Sequence, residues 1–233
     1  MTGNSVPTSD RRRFLRELAR LGRSVRLRRG GIVLAGSLRP WYRVADPDTV
    51  VAAAAKRDRD PFWVQDWPSA MAFDRYFAFW SSLIPPDALR GEVLELGCGS
   101  GAVSAALRLR GIRCLATDAE PQAVLLARIN HLANGLLPRA ERLEWGSPRG
   151  KTRHPLIVAA DIVYARESIS PLIECLGRLL PADGVAVIAE PGRASGDEFR
   201  DRLAVGGWTV REARPPRIDT PAIRFLVIWP QPR

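Results

Sequence analysis

The residues best placed to do chemistry follow an apolar run that begins at Val93, where a carboxylate and three alternating glycines succeed one another. The pattern is Glu95-x-Gly97-x-Gly99-x-Gly101, and it predicts a strand, a tight loop and the start of a helix. Glycine tolerates positive φ and lets a ligand approach the backbone, while the first N–H groups of a helix point at whatever the loop holds. The pattern therefore predicts a cradle of the nucleotide-binding type, without deciding which nucleotide it holds.

A second acid narrows the choice of ligand. The predicted strand Ile112–Thr117 ends at Asp118, 17 residues beyond Gly101, which is close to the roughly 20 expected for a ribose-binding acid. The loop lacks the two-residue gap before the last glycine of G-x-G-x-x-G, which favours a ligand with an amino-acid tail and no pyrophosphate. On these residues the chain resembles the class I, seven-strand methyltransferases that use S-adenosyl-L-methionine (AdoMet). The resemblance implies AdoMet as the cofactor.

The chain is predicted to divide into two parts at a charged segment, Lys56–Asp60. We predict an N-terminal extension over residues 1–60 and an AdoMet-binding methyltransferase domain over residues 61–233. In the extension, apolar residues recurring from Phe14 to Val25 predict an amphipathic helix, Arg29–Gly31 predicts the turn of a small hairpin, and Asp48–Arg57 predicts a second helix. The resemblance implies an α/β fold for the rest, a Rossmann-like seven-stranded sheet with helices on both faces.

Two tryptophans are placed to border the cofactor. Trp67 lies in a proline-flanked segment before the helix that precedes the glycine loop, and Trp145 ends a predicted third strand, Arg142–Trp145. The arrangement resembles a methyltransferase subgroup, the lysine methyltransferases that act on folded proteins. The resemblance implies that Trp67 borders the AdoMet site and that Trp145 lies along the adenine. A cation near an indole face gains about 0.5 to 2 kcal/mol, which gives the position of Trp67 a physical reason.

The acceptor is suggested by the residues after Leu156–Ala160, an apolar run typical of a central parallel strand. Open α/β sheets bind ligands at the carboxyl ends of their strands, so Asp161 and Tyr164 are expected to face the reaction site. The Asp161-x-x-Tyr164 spacing resembles the motif of the seven-strand lysine methyltransferases, which implies that both residues are catalytic. A carboxylate suits an amine that arrives as a cation. A lysine ε-amine, with an ordinary pKa of about 10.4, must lose its proton before it attacks the methyl carbon.

Further along, the segment Glu190-Pro191-Gly192-Arg193 resembles the bacterial relatives of the electron-transfer flavoprotein beta-subunit lysine methyltransferase. The resemblance as a whole implies a set of cofactor-binding residues. They are Trp67, Glu95, Gly97, Cys98, Gly99, Gly101, Asp118, Trp145, Ala160 and Asp161.

Composition limits the partners. The 233 residues carry a net charge of +10, nearly all of it from arginine, with clusters at Arg11–Arg13 and from Arg23 to Arg29. No aromatic interleaving accompanies them, so a solvated basic arm is favoured over a nucleic-acid site, and the arm could steer an acidic protein substrate. Three scattered cysteines argue for a reducing compartment, the cytoplasm, and against a zinc site. No apolar run approaches the ~18 to 20 residues needed for a membrane span.

Two other functions stay open on the sequence. A small-molecule amine N-methyltransferase, of the kind that methylates nicotinamide-like acceptors, would use the same pocket chemistry and predicts a lid built partly from residues 1–60. A non-catalytic protein of the same fold would bind RNA or protein through its arginine arm, which the intact glycine loop and Asp161 make less favourable. The favoured function is AdoMet-dependent methylation of lysine side chains on a protein.

Overall fold

A computed structural model describes residues 8–55, 61–148, 152–216 and 222–231. In chain order its strands are β1 (Leu27–Leu34), β2 (Ser37–Val44), β3 (Val93–Leu96), β4 (Cys114–Asp118), β5 (Ala140–Arg142), β6 (Leu156–Ala160), β7 (Val185–Glu190), β8 (Thr209–Ala213) and β9 (Arg224–Trp229). The strands β3 to β9 form one sheet of seven, in the spatial order β5-β4-β3-β6-β7-β9-β8. Within it, β9 runs antiparallel to both of its neighbours, and the pairs from β5 across to β7 are parallel.

Helices cover both faces of this sheet. They are α1 (Thr8–Leu21), α2 (Pro47–Ala55), α3 (Pro68–Arg75), α4 (Phe77–Ser81), α5 (Ala102–Leu109), α6 (Pro121–Ala133), α7 (Ile169–Leu179) and α8 (Ala194–Val205). The helices α7 and α8 pack on one face, while α3, α4 and α5 pack on the other. This is the predicted Rossmann-like α/β fold. Across the described ranges, no helix has both the length and the apolar character that crossing a bilayer would require.

The order of the central strands creates the place for a ligand. Every residue of β3 and β7 is buried. Between these two strands lies β6, whose apolar sequence predicted a central parallel strand. The chain proceeds from β3 outward to β4 and β5, then returns to place β6 on the other side of β3. The strand order therefore reverses between β3 and β6. At such a reversal, the carboxyl ends of the two strands flank a crevice.

The segment before residue 56 packs against the helices that flank the seven-stranded sheet. The side chains of Leu21 and Val25 join those of Leu126 and Ile129 of α6 in one apolar cluster. A second cluster places the fully buried Trp41 of β2 against α5. The predicted division at residues 56–60 lies outside the described residues, and the two-domain organisation stays a prediction.

The turn of the N-terminal hairpin was wrongly predicted. Gly30 and Gly31 lie inside β1, opposite Trp41 and Pro40, and the turn falls instead at Ala35-Gly36. Both turn residues have positive φ, 50° and 74°, as a tight two-residue hairpin requires. At position 31 a Cβ would lie 2.8 Å from Cδ1 of Leu38 across the ladder, so the absence of a side chain lets Leu38 pack on this part of β1.

The strand predicted over Arg142–Trp145 is also displaced from its predicted position. Strand β5 covers Ala140–Arg142, so Leu143, Glu144 and Trp145 lie beyond its end. The reason is the length of the strand with which β5 pairs, because β4 ends at Asp118, which pairs with Arg142. The last contact is the Leu143 N–H, which donates to the Asp118 carbonyl at 3.0 Å. Trp145 is therefore free to turn into the crevice.

Candidate active site

A cavity of about 360 Å³ opens at the carboxyl ends of β3, β4 and β6. Its lining comprises Phe62, Trp63, Trp67, Gly97, Gly99, Asp118, Ala119, Glu120, Glu144, Trp145, Gly146, Ala160, Asp161, Ile162, Tyr164, Ser168 and Pro171. Seven of the predicted site residues are among them: Trp67, Gly97, Gly99, Asp118, Trp145, Ala160 and Asp161, with the predicted catalytic Tyr164 beside them. Since neighbouring strands lie about 4.8 Å apart, Asp118 and Asp161 stand roughly 10 Å from each other across β3.

The glycine loop forms the floor of this cavity. Gly97 and Gly99 both have positive φ, 64° and 50°, which allows the loop to fold tightly after β3. A Cβ on Gly97 would lie 2.6 Å from Cγ2 of Ile162 and 3.8 Å from the Trp145 ring. The absent side chain therefore lets Ile162, the residue after Asp161, pack directly against the loop backbone where both line the cavity.

Asp118 couples this loop to the second strand. Its Oδ2 accepts a hydrogen bond from the Gly99 N–H at 3.0 Å, and its Oδ1 accepts one from the Glu120 N–H at 2.9 Å. Burial raises the pKa of Asp118, while these backbone hydrogen bonds oppose the rise. Each carboxylate oxygen keeps a free lone pair, so the side chain can both hold the loop and accept hydrogen bonds from ribose hydroxyls.

Three predicted cofactor residues do not line the cavity. We expected the Glu95 carboxylate at the mouth of the loop, but the structure places it beneath the loop, where its Oε2 accepts the Ser104 N–H at 3.0 Å. Burial raises the pKa of Glu95 to about 8. Cys98 is buried, and Gly101 closes the loop at the start of α5 with a φ of 82°. A Cβ on Gly101 would lie 2.8 Å from that of Ala127, so this glycine allows α5 and α6 to approach each other.

The walls of the cavity are aromatic and acidic. Trp145 is half-buried beside Gly97, and Trp63 and Phe62 enter from the segment before α3. Four carboxylates also line the space: Asp118, Glu120, Glu144 and Asp161. Their charges favour a ligand that carries positive charge.

At the β6 end, Asp161, Trp67 and Tyr164 surround the cavity. The Trp67 indole Nε1 donates to the Phe62 carbonyl at 2.9 Å, which fixes the plane of the indole at the start of α3. The Phe62 ring lies against Tyr164 with 4.2 Å between ring centroids. Tyr164 is 42% exposed, so it stands at the mouth of the cavity and not in its depth.

Asp161 is the most constrained of these residues. Its φ is 58°, a left-handed conformation that aspartate adopts far less often than glycine, and its N–H donates to the Ala189 carbonyl at 2.9 Å. The carboxylate is 3% exposed; its Oδ2 accepts the Ser69 hydroxyl at 3.1 Å, and its Oδ1 forms an ion pair with Arg193. The Arg193 guanidinium also lies over the Trp67 ring, 5.7 Å from its centroid.

Sequence reasoning missed the side chains that brace the loop from the N-terminal side. Asp66 accepts the Ser100 hydroxyl at 2.7 Å and also accepts a hydrogen bond from Arg43 of β2. The buried Asn130 of α6 exchanges two hydrogen bonds with the Tyr42 backbone, and its amide also donates to the Ser100 carbonyl at 2.9 Å. The available signal was an asparagine in the middle of an apolar helix, since a buried amide needs partners.

Comparison with known proteins agrees with this geometry. Residues 64–202, more than half of the chain, match the family described as Lysine methyltransferase. The electron transfer flavoprotein beta subunit lysine methyltransferase of Xenopus laevis is 35% identical over 138 residues, which are 58% of this chain and 54% of that protein. The ribosomal protein L11 methyltransferase of Xylella fastidiosa (strain 9a5c) is 40% identical over 96 residues, 38% of this chain and 30% of that protein. The chain thus spans about half the length of the Xenopus protein.

A solved structure shows the same fold. The TehB-like SAM-dependent methyltransferase from Corynebacterium glutamicum superimposes with a TM-score of 0.53 at 21% identity, covering 78% of this chain and 99% of that one. The family match extends from before Trp67 to beyond Arg193, so it includes the glycine loop, Asp118 and Asp161. As the glycine spacing and Asp161-x-x-Tyr164 predicted, the chain belongs to the lysine methyltransferase family.

Proposed function

We propose that this protein transfers a methyl group from AdoMet to the ε-amine of lysine side chains on a protein substrate. The observation that carries the proposal is the cavity itself, which joins a nucleotide cradle at β3 and β4 to a carboxylate and an indole at the end of β6. A ligand with adenosine at one end and a cationic centre at the other fits this arrangement of groups.

The residues present suit AdoMet. Gly97 and Gly99 present loop backbone without side chains to the cavity, which suits a close backbone contact with the cofactor, and Asp118 has acceptor capacity left for ribose hydroxyls. Trp145 offers a flat surface for the adenine, and the acidic lining suits the positive charges of the sulfonium and the amino group. When bound, AdoMet supplies an electrophilic methyl group on sulfur. Direct contacts of Glu95, Cys98 and Gly101 with it stay predictions.

The other end of the cavity supplies the chemistry for an amine. The Asp161 carboxylate can hold the incoming ammonium and orient it toward the methyl carbon, while Trp67 and Tyr164 give the slot an apolar rim. Desolvation between these rings favours the neutral amine, so a proton leaves to water before attack. With AdoMet bound, the amine that Asp161 holds would be placed to take the methyl group, and the electrons of the broken S–C bond would stay on sulfur.

A protein acceptor is favoured over a small amine. A small-molecule enzyme would need residues 1–60 to cover the acceptor, whereas the cavity lining, as far as the chain is described, begins at Phe62. The Xenopus and Xylella relatives are both named for proteins that they methylate, which supports a protein acceptor here.

Incubation with tritiated AdoMet and a cell extract tests the proposal. We expect label in a discrete protein band that protease removes, and methyl-lysine after hydrolysis of that band. Asp161→Asn keeps a side chain that tolerates positive φ, so it should fold, bind AdoMet and lose most of the transfer. Label confined to small molecules, or full activity of Asp161→Asn, would contradict the assignment.

We further propose that the protein substrate is acidic and is met in the cytoplasm. The exposed arginines Arg12, Arg16 and Arg23 have no acidic partner among the residues the structure describes, so they are available to a partner. All three cysteines are buried thiols, which suits a reducing compartment.

Charge reversal tests the acidic substrate. Substituting Arg12, Arg16 and Arg23 by glutamate should raise the KM for the labelled protein about tenfold at low salt, with kcat unchanged, since exposed charges act mainly on encounter. The same reversal at Arg113, Arg178 and Arg211, which are exposed elsewhere, changes the net charge equally and serves as the control. Equal effects of the two sets would remove the basis for an acidic partner.

A further inference from the structure

The Asp161 carboxylate already holds a cation. Arg193 forms an ion pair with its Oδ1, and the Ser69 hydroxyl donates to its Oδ2 at 3.1 Å, so each oxygen already has a partner within the protein. The same guanidinium lies over the Trp67 ring. Arg193 therefore contacts the two groups that the proposed function assigns to the acceptor ammonium, a carboxylate and an indole face.

The position of Arg193 allows its side chain to leave while its backbone stays. Its N–H donates to Glu190 Oε2 at 3.1 Å, and its carbonyl accepts the N–H groups of Gly196 at 2.9 Å and Asp197 at 3.1 Å. These bonds fix the backbone at the start of α8. The Arg193 side chain, by contrast, is 35% exposed, against 3% for Asp161. Rotation about its side-chain bonds would carry the guanidinium into water and leave the carboxylate available.

We propose that Arg193 is an internal cation that occupies the acceptor-amine position in the free enzyme and is displaced when the acceptor lysine enters. This inference rests on the proposed function and makes Arg193 a specificity-determining residue, because a neutral acceptor cannot replace it beside Asp161. Burying the carboxylate without any cation would be costly, so Arg193 also keeps Asp161 charge-compensated between turnovers.

Binding of n-butylammonium, which has the chemistry of a lysine side-chain end, tests the displacement. The titration uses the full chain saturated with S-adenosylhomocysteine. Competition by Arg193 multiplies the apparent affinity for n-butylammonium by the fraction of molecules in which Arg193 has left Asp161. If Arg193 occupies the site nine-tenths of the time, Arg193→Met should bind the amine about tenfold more tightly than the wild type. Arg193→Lys, which keeps a competing cation, should bind it about as weakly as the wild type.

Equal or weaker binding to Arg193→Met than to the wild type would overturn the proposal, because Arg193 would then be a fixed support for Asp161. Undetectable binding in every variant would overturn it too. The double variant Asp161→Asn/Arg193→Met removes both charges, and it should not bind the amine; tight binding there would place the amine elsewhere and overturn the proposal as well.

Displacement of Arg193 can also be measured in the wild-type protein, so the test does not require that Arg193→Met folds. The Arg193 Nε–H signal in nitrogen-15 NMR, identified by its loss in Arg193→Lys, should move toward the position of free arginine as n-butylammonium is added. An unmoved signal would refute displacement. None of these outcomes depends on finding a methylated protein, so absence of label in the extract experiment would refute the proposed function alone.

Discussion

Replacing the buried His131 by glutamine should remove a large part of the loss of stability on acidification. The imidazole of α6 is fully buried; its Nε2 lies 3.0 Å from the Ser104 hydroxyl, and its Nδ1 lies 3.4 Å from the Arg108 guanidinium. Arginine can only donate, so Nδ1 is the acceptor and Nε2 carries the hydrogen. Burial, reinforced by the Arg108 charge, lowers the pKa of His131 to about 3 from its ordinary value of 6.5.

Because the pKa of His131 is lower in the folded protein, acidification lowers the free energy of unfolding. Neutral imidazole contributes fully to stability above pH 6.5, and the contribution is lost as the pH falls from there toward about 3, because the unfolded chain binds the proton and the folded one does not. At pH 5 the unfolded histidine is almost fully protonated, which costs the wild type about 2 kcal/mol relative to pH 8. This value depends on the ordinary pKa of histidine and changes little while the folded pKa lies below about 4.

Urea unfolding of both proteins at pH 8 and pH 5, followed by tryptophan fluorescence, measures the effect. The difference between the two free energies of unfolding at pH 8 gives the packing cost of the substitution. The change in that difference between pH 8 and pH 5 gives the contribution of His131 protonation. We expect His131→Gln to lose about 2 kcal/mol less than the wild type on acidification. A change below about 0.5 kcal/mol would mean that the folded protein accommodates the imidazolium, and would refute the reasoning.

Three further substitutions probe the cofactor loop. Asp118→Asn should weaken AdoMet binding about 10- to 100-fold in calorimetry, since it removes charge-assisted hydrogen bonds worth about 1.5–3 kcal/mol; unchanged affinity would exclude the ribose role. Trp145→Ala should cost about 1–3 kcal/mol of AdoMet binding, with little change in thermal stability, and an effect on stability alone would make Trp145 a packing residue. Gly101→Ala places a Cβ 2.8 Å from Ala127 and should lower the free energy of unfolding by about 2 to 4 kcal/mol, whereas Gly36→Ala, where φ is also positive but the space is open, should cost about 1 kcal/mol. Equal losses for the two glycines would contradict the tight contact of α5 with α6.

The parts of the fold that the sequence predicted are those with a strong local signal. The short apolar run Leu156–Ala160 is typical of a buried strand, and the alternating Gly97 and Gly99 directly after another apolar run are typical of a tight loop. These signals located the cavity because parallel strands bring their carboxyl ends to one edge.

The remaining features depend on partners distant in the chain. Glu95 was expected at the ligand because nothing local reveals that Ser104 turns it under the loop. Arg193 lies 32 residues from Asp161. Its segment, Glu190–Arg193, was noted for a family resemblance, but nothing in the sequence predicted the ion pair. The hairpin turn was misplaced because two consecutive glycines are typical of a turn, and only the pairing of Gly30 with Trp41 and of Gly31 with Pro40 shows that they lie inside β1.

The amide of Asn130 has a consequence that reaches beyond packing. It hydrogen-bonds to Tyr42 of the hairpin and to the Ser100 carbonyl of the glycine loop, so ordering of either segment restricts the other. Thermodynamic linkage is reciprocal: if a bound cofactor rigidifies the hairpin, anything that rigidifies the hairpin strengthens the cofactor by the same factor. Under that condition, a partner that orders β1 and β2 would tighten cofactor binding through Asn130.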